Sequence, residues 1–103
     1  MLMSVDTDST TRALADPLRL RIVELLADEQ LCTCHIVELT GAGQTNVSNH
    51  LRVLREAGLV AAEPVGRYSY YRLRADALMA LSDTLANLAA RARAAEQRPR
   101  PCD

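Results

Sequence analysis

Residues 42–60 read AGQTNVSNHLRVLREAGLV, and their spacing decides the fold. Val47, Leu51, Leu54 and Gly58 recur at i, i+4, i+7 and i+11, which is one inward stripe of an α-helix. Thr45, Asn46, Ser48, Asn49, Arg52 and Glu56 are left on or beside the outer face, and Gly58 ends the helix. Upstream, a shorter helix is expected from about Cys32 to Thr40, with Ile36, Val37 and Leu39 inward. Gly41 stops it, as a glycine just past a helix end does. Two short helices joined by a glycine turn, the second with a polar front, make a helix-turn-helix.

The flanking segments extend this pattern. Asp16 is a good N-cap and Pro17 suits a first helical position. Leu18, Ile22, Leu25 and Leu26 then give an apolar stripe that ends around Asp28–Gln30. An earlier helix is expected to start near Ser9 or Thr10 and end near Ala15, with residues 1–8 disordered. After Gly58, Leu59–Glu63 and Tyr68–Arg74 read as strands around a PVGR turn. Tyr71 and Leu73 fall on one face of the second strand, and Tyr68, Tyr70 and Arg72 on the other. A hairpin in this position is a wing. Residues 75–97 read as a helix in which Leu78, Leu81, Leu85, Leu88 and Ala92 form a coiled-coil-like seam. A chain this small has a marginal core, so a dimer across that seam is expected. The tail 98–103, RPRPCD, reads as flexible.

The 103 residues, 49% of them hydrophobic, suit one small domain. No apolar run approaches the roughly 18 residues of a membrane span. The N-terminus lacks a basic and apolar leader, so a cytoplasmic protein with reduced thiols is expected. Charge is unevenly placed. Residues 1–43 carry three arginines against seven acids, residues 44–74 five against two, and residues 75–103 four against four. A basic island in an acidic chain suits an anionic partner. No phosphate-binding loop, dinucleotide fingerprint or nucleophile–base constellation is present, so catalysis has little support.

A helix entering a DNA major groove needs hydrogen-bonding side chains near its N-terminus. Gln44, Thr45, Asn46, Ser48 and Asn49 supply them, and Arg52, Arg55 and Arg67 suit phosphates or, from the wing, the minor groove. His50 lies at the edge of the inward stripe, with either a packing and orienting role or a phosphate contact open to it.

Taken jointly, ALADPLRLRIVELL, NVSNHLRVLREAGLV and GRYSYYRL resemble the ArsR/SmtB family of metal-responsive winged-helix repressors over about residues 10–75. The resemblance implies a mainly α fold with a small β-hairpin, about five helices and a two-stranded wing, spanning 9–97. It implies a homodimer through the first and last helices that binds operator double-stranded DNA when metal-free and dissociates on binding the inducer.

Within that family, LCTCH at 31–35 resembles the cysteine site of arsenite-responsive members. Cys32 and Cys34 match its first two cysteines, and Val37 stands where the third would be. The resemblance makes As(III) or Sb(III) the inducer. Cys102 could swing in as third ligand from either subunit, against a two-cysteine site completed by water or an added thiol, or an idle tail thiol. Cd(II) or Pb(II) sensing and a thiol redox switch are the alternatives on the same scaffold, and a small thiol enzyme is a third. On a regular helix, residues i and i+2 point about 200° apart, so ion binding is expected to unwind the first turn. His35 is expected to face solvent, with ligation of the ion or a lowering of the thiol pKa values also open to it.

Overall fold

The computed structural model of the chain describes residues 7–102. The element order is α1 (Thr7–Leu14), α2 (Pro17–Leu26), β1 (Leu31–Cys32), α3 (Thr33–Thr40), α4 (Gln44–Glu56), β2 (Val60–Val65), β3 (Tyr68–Leu73) and α5 (Ala75–Ala95). The expected winged helix-turn-helix is present, with five helices and a hairpin among the described residues. The expectation of disorder at 1–8 is corrected at Thr7 and Asp8, which lie in α1; the rest of that segment falls outside the described residues.

Asp16 caps α2 as its sequence position suggested, accepting the amides of Leu18 at 2.8 Å and Arg19 at 3.1 Å. Gly41 closes α3 in the left-handed conformation, φ 74°, with its N–H on Val37 O at 2.8 Å. The core gathers Ala13 from α1, Ile22 and Leu26 from α2, Ile36 from α3, Val47, Leu51 and Leu54 from α4, Leu59 and Val60 from the wing, and Ala77 from α5. The inward stripe of α4 is therefore the one its spacing indicated. Leu39 departs from its expected place and is 50% exposed. At roughly 100° per residue, the core-facing arc of α3 is centred among Thr33, Ile36, Val37 and Thr40, and Leu39 falls to one side of it.

The sheet has three antiparallel strands in the order β1-β3-β2, one more than the expected two-stranded wing. Its extra strand is short, pairing Leu31 with Tyr71 and Cys32 with Tyr70. The hairpin is also longer than PVGR suggested. Pro64 pairs with Ser69 and Val65 with Tyr68, which leaves only Gly66 and Arg67 in the turn. Pro64 is tolerated because β2 is an edge strand. Gly66 has φ 61° and no non-glycine residue has positive φ among the described residues. Glycine at the first of two central positions is what a type II′ hairpin turn requires, and it sets Arg67 at the tip of the wing.

α5 divides in two. Ala77 and Leu81 are buried on the domain, whereas Leu85 is 57% and Leu88 49% exposed. The seam therefore runs off the end of its own core. No helix among the described residues is long and apolar enough to cross a membrane.

Candidate functional site

The junction of β1 and α3 builds the thiol site. Pairing with Tyr70 holds Cys32 in extended backbone, φ −85° and ψ 169°, so it is the N-cap of α3 and not part of the helix. Cys34 is the second helical residue. The two cysteines straddle a strand-to-helix boundary, and the opposed directions of regular helix do not apply to them. This corrects the expectation that the first turn must unwind before both sulfurs can reach one ion. Cys32 is buried and Cys34 exposed.

His35 completes the cluster. Its Nδ1 accepts the Cys32 N–H at 3.3 Å and lies 3.2 Å from Cys32 Sγ. The Cys32 side chain in turn takes the His35 amide, which closes a capping box. The imidazole packs edge-on against Tyr70, with ring centroids 5.9 Å apart at 62°. His35 is thus half-buried, and the expectation that it faces solvent is corrected. The ligand atoms of Cys32, Cys34 and His35 all lie within 4.8 Å of one another. Metal–thiolate and metal–imidazole bonds of ~2.3 and ~2.0 Å place neighbouring donors about 3.5 Å apart, so the widest-spaced donors must draw together to hold an ion. Two sulfurs and a nitrogen suit thiophilic and borderline ions. Cys102 lies exposed past the end of α5, outside this cluster.

The thiols are electrostatically unequal. Burial pushes the Cys32 thiol up, but the hydrogen bond from Cys34 Sγ and the amides of His35 and Cys34 at the helix start outweigh it and hold Cys32 below the usual thiol value. Cys34 is pushed up, first because its proton is held by Cys32, then by desolvation and the Cys32 charge. The thiolate is the form that binds metal ions.

The second half of the site is the outer face of α4. Gln44, Thr45, Asn46, Ser48, Asn49, Arg52 and Arg55 are all exposed, and Val47, Leu51 and Leu54 lock the helix from behind. Of the five arginines in the basic island, Arg72 is paired with Glu63 at 2.9 Å and Arg74 with Asp76 at 3.0 Å. Arg52, Arg55 and Arg67 make no ion pair among the described residues. The island thus reduces to three available guanidinium groups, two on α4 and one on the wing tip.

His50 is turned away from that face. Its Nδ1 meets Arg19 NH1 at 3.1 Å and its Nε2 lies 4.0 Å from Asp16 Oδ1, with 17% of the side chain exposed. Of the two roles open to it, this is the packing and orienting geometry. Arg19 also donates to Ala13 O at 2.7 Å and Arg12 O at 3.3 Å, so one side chain ties the end of α1 to α4. Its position on α2 gave no sign of this, because the partners are distant in sequence.

The two halves meet. A cleft of about 350 Å³ is lined by Cys32, Thr33, Cys34, Gln44, Arg67, Tyr68, Ser69 and Tyr71. The thiols therefore open into the same space as the first residue of α4 and the tip of the wing.

A family model described as "Bacterial regulatory protein, arsR family" matches residues 16–62. A protein named transcriptional repressor SmtB homolog, from Synechocystis sp. (strain ATCC 27184 / PCC 6803 / Kazusa), is 42% identical over 69 residues, covering 67% of this chain and 52% of the relative. The chain thus spans about half the length of that relative. A crystal structure described as a possible transcriptional regulator for arsenical resistance is 35% identical with a TM-score of 0.68, covering 75% of this chain and 80% of that one. The solution structure of a homodimeric winged helix-turn-helix DNA-binding domain from Mycobacterium bovis is 29% identical with a TM-score of 0.67, covering 91% and 86%. On sequence and fold together, the chain belongs to the arsR family of bacterial regulatory proteins.

Proposed function

We propose that this chain is a transcriptional repressor that binds operator DNA as a homodimer and releases it when As(III) or Sb(III) binds the thiolates of Cys32 and Cys34. The observation that carries the reading is the shared cleft, in which both cysteines line the same space as Gln44 and Arg67. On this reading Gln44, Thr45, Asn46, Ser48 and Asn49 enter the major groove, Arg52 and Arg55 take phosphates, and Arg67 reaches from the wing. The exposed Leu85 and Leu88 supply the dimer seam, and a homodimeric relative of the same fold supports that assembly. A relative tied by its description to arsenical resistance supports the choice of ion. A regulator of this kind works in the cytoplasm and needs no catalytic group.

Coupling between the two halves goes through shape. Two thiols lose two protons as arsenite loses two hydroxides as water, so the site is neutral before and after. Cys32 is fixed to β3 and Cys34 to α3, which leads through residues 41–43 into α4. An ion that draws both sulfurs together moves the start of α3 against the sheet, and with it α4 against the wing. Negative coupling of this kind is typically about 1–3 kcal/mol. The test is fluorescence anisotropy of a labelled fragment of the protein's own promoter in reducing buffer, titrated with arsenite and in parallel with Cd(II) and Pb(II). Release at near-stoichiometric arsenite supports the reading. Tight binding indifferent to arsenite removes the metalloid, and absence of DNA binding removes the repressor.

A further inference from the structure

We propose that Arg19 is a positioning residue that fixes α4 against the dimer-forming part of its own protomer, and so sets the half-site spacing that the homodimer accepts. The inference rests on the reading of the chain as a homodimeric operator-binding protein, and names the residue that keeps its two reading helices in register. Every nitrogen of the Arg19 guanidinium is engaged. Nε donates to Ala13 O at 2.7 Å, Nη2 to Arg12 O at 3.3 Å and Nη1 to His50 Nδ1 at 3.1 Å. The two carbonyls belong to the last turn of α1, where a helix cannot satisfy its own C=O groups and where its dipole favours a cation. A guanidinium only donates, so His50 Nδ1 accepts and the proton of the neutral ring is on Nε2, the atom 4.0 Å from Asp16 Oδ1. His50 is thus keyed to α2 through both ring nitrogens.

The surrounding packing gives this link its reach. α5, which carries the exposed Leu85 and Leu88, packs on α1 and makes no comparable contact with α4 among the described residues. The route from the leucine seam to the reading helix therefore runs through α1. A cleft of about 230 Å³ separates Ser9 and Arg12 of α1 from Val53 and Glu56 of α4. The two helices are not closely packed there, so hydrogen bonds to one rigid planar group hold their angle. Gln44 lies ~9 Å from His50 along α4, at ~1.5 Å per residue, so a small tilt at the link displaces the base-reading end. One base pair more or less moves the second half-site by ~3.4 Å and turns it by about 35°. A dimer whose helices are held in register distinguishes such sites, and one with a loosened link does not. α4 also packs on β2, so helix and wing stay together within a protomer and a single half-site is read as before.

The experiment measures, by anisotropy in reducing buffer, the affinity of the full chain for labelled duplexes built from the two half-sites footprinted on its own promoter. The duplexes carry the native spacing, one base pair inserted, one removed, or one half-site alone. Wild type is expected to prefer the native spacing by at least about tenfold, because the altered duplexes must be bent or twisted to fit. Arg19→Lys keeps the charge but loses the planar fork, and its preference is expected to fall to about threefold or less, with single-half-site affinity unchanged. His50→Leu removes the acceptor from the α4 side and is expected to do the same, and it carries the test should Arg19→Lys fail to fold. His50→Asn, whose amide oxygen stands where Nδ1 does, is expected to retain the wild-type preference. A wild-type preference kept in Arg19→Lys or His50→Leu would overturn the proposal and leave the repressor reading intact. Equal loss in His50→Asn and His50→Leu, or weakening of the single half-site in step with the full operator, would also overturn it. A wild type that binds none of the duplexes would overturn the operator-binding reading with it.

Discussion

Arg19 donates from NH1 to Nδ1 of His50 across 3.1 Å, linking α2 to the helix that carries the polar face. The same guanidinium holds two carbonyls at the end of α1, so α4 is oriented by a bond on the side turned away from its exposed polar face. His50→Ala is expected to lower stability by about 1 kcal/mol, the usual scale for one hydrogen bond, in urea denaturation. It should weaken operator binding with an unchanged salt slope, because no phosphate contact is lost. A reduced slope would instead make His50 a phosphate ligand.

Arg52 gives the contrasting outcome. It is exposed and unpaired among the described residues. Arg52→Ala should weaken binding about equally on specific and unrelated DNA, and should reduce the slope of log K against log salt by about 1. Binding equal to wild type with an unchanged slope would remove its phosphate role.

Leu54 and Leu85 separate fold from assembly. Leu54 is 0% exposed in the core, and Leu54→Ala should cost about 2–5 kcal/mol of stability. Leu85 is 57% exposed past the last buried residue of α5. Leu85→Glu should leave the helical circular dichroism of the domain intact while sedimentation shifts from dimer to monomer. A dimer that survives this change would place the interface elsewhere.

Asp16 makes the fold acid-sensitive. The Arg19 amide lowers its pKa most, burial opposes this, and the Leu18 amide with the His50 and Arg19 charges add to the lowering. A carboxyl whose folded pKa is depressed stabilises the fold above its unfolded value of about 3.9, and that stability is lost as pH falls through the folded value. Wild type should therefore lose thermal stability between neutral pH and about pH 3 more steeply than Asp16→Asn, which keeps a capping oxygen without a charge. Equal slopes would mean that Asp16 does not titrate with folding.

Much of this was legible in the sequence. The 3.6-residue spacing of Val47, Leu51 and Leu54, the Asp16-Pro17 start and the Gly41 stop are local signals, and each stands where it was read. What the sequence hid were relationships between distant segments. β1 is only two residues long and exists because β3 pairs with it. Without that strand Cys32 reads as helical, the cysteine pair looks opposed, and His35 has no Tyr70 to cover it. Leu39 was misplaced because eight residues of α3 define the core-facing arc too loosely. The spacing of the α5 seam was visible, but not that the core ends at Leu81.

The most direct test of the central claim is operator affinity, measured with and without arsenite, for wild type and for the double variant Cys32→Ser/Cys34→Ser. The account predicts that both bind the operator without arsenite and that only wild type is released by it, with affinity falling about 5- to 150-fold. A double variant still released by arsenite would contradict it, as would a wild-type complex that arsenite leaves intact.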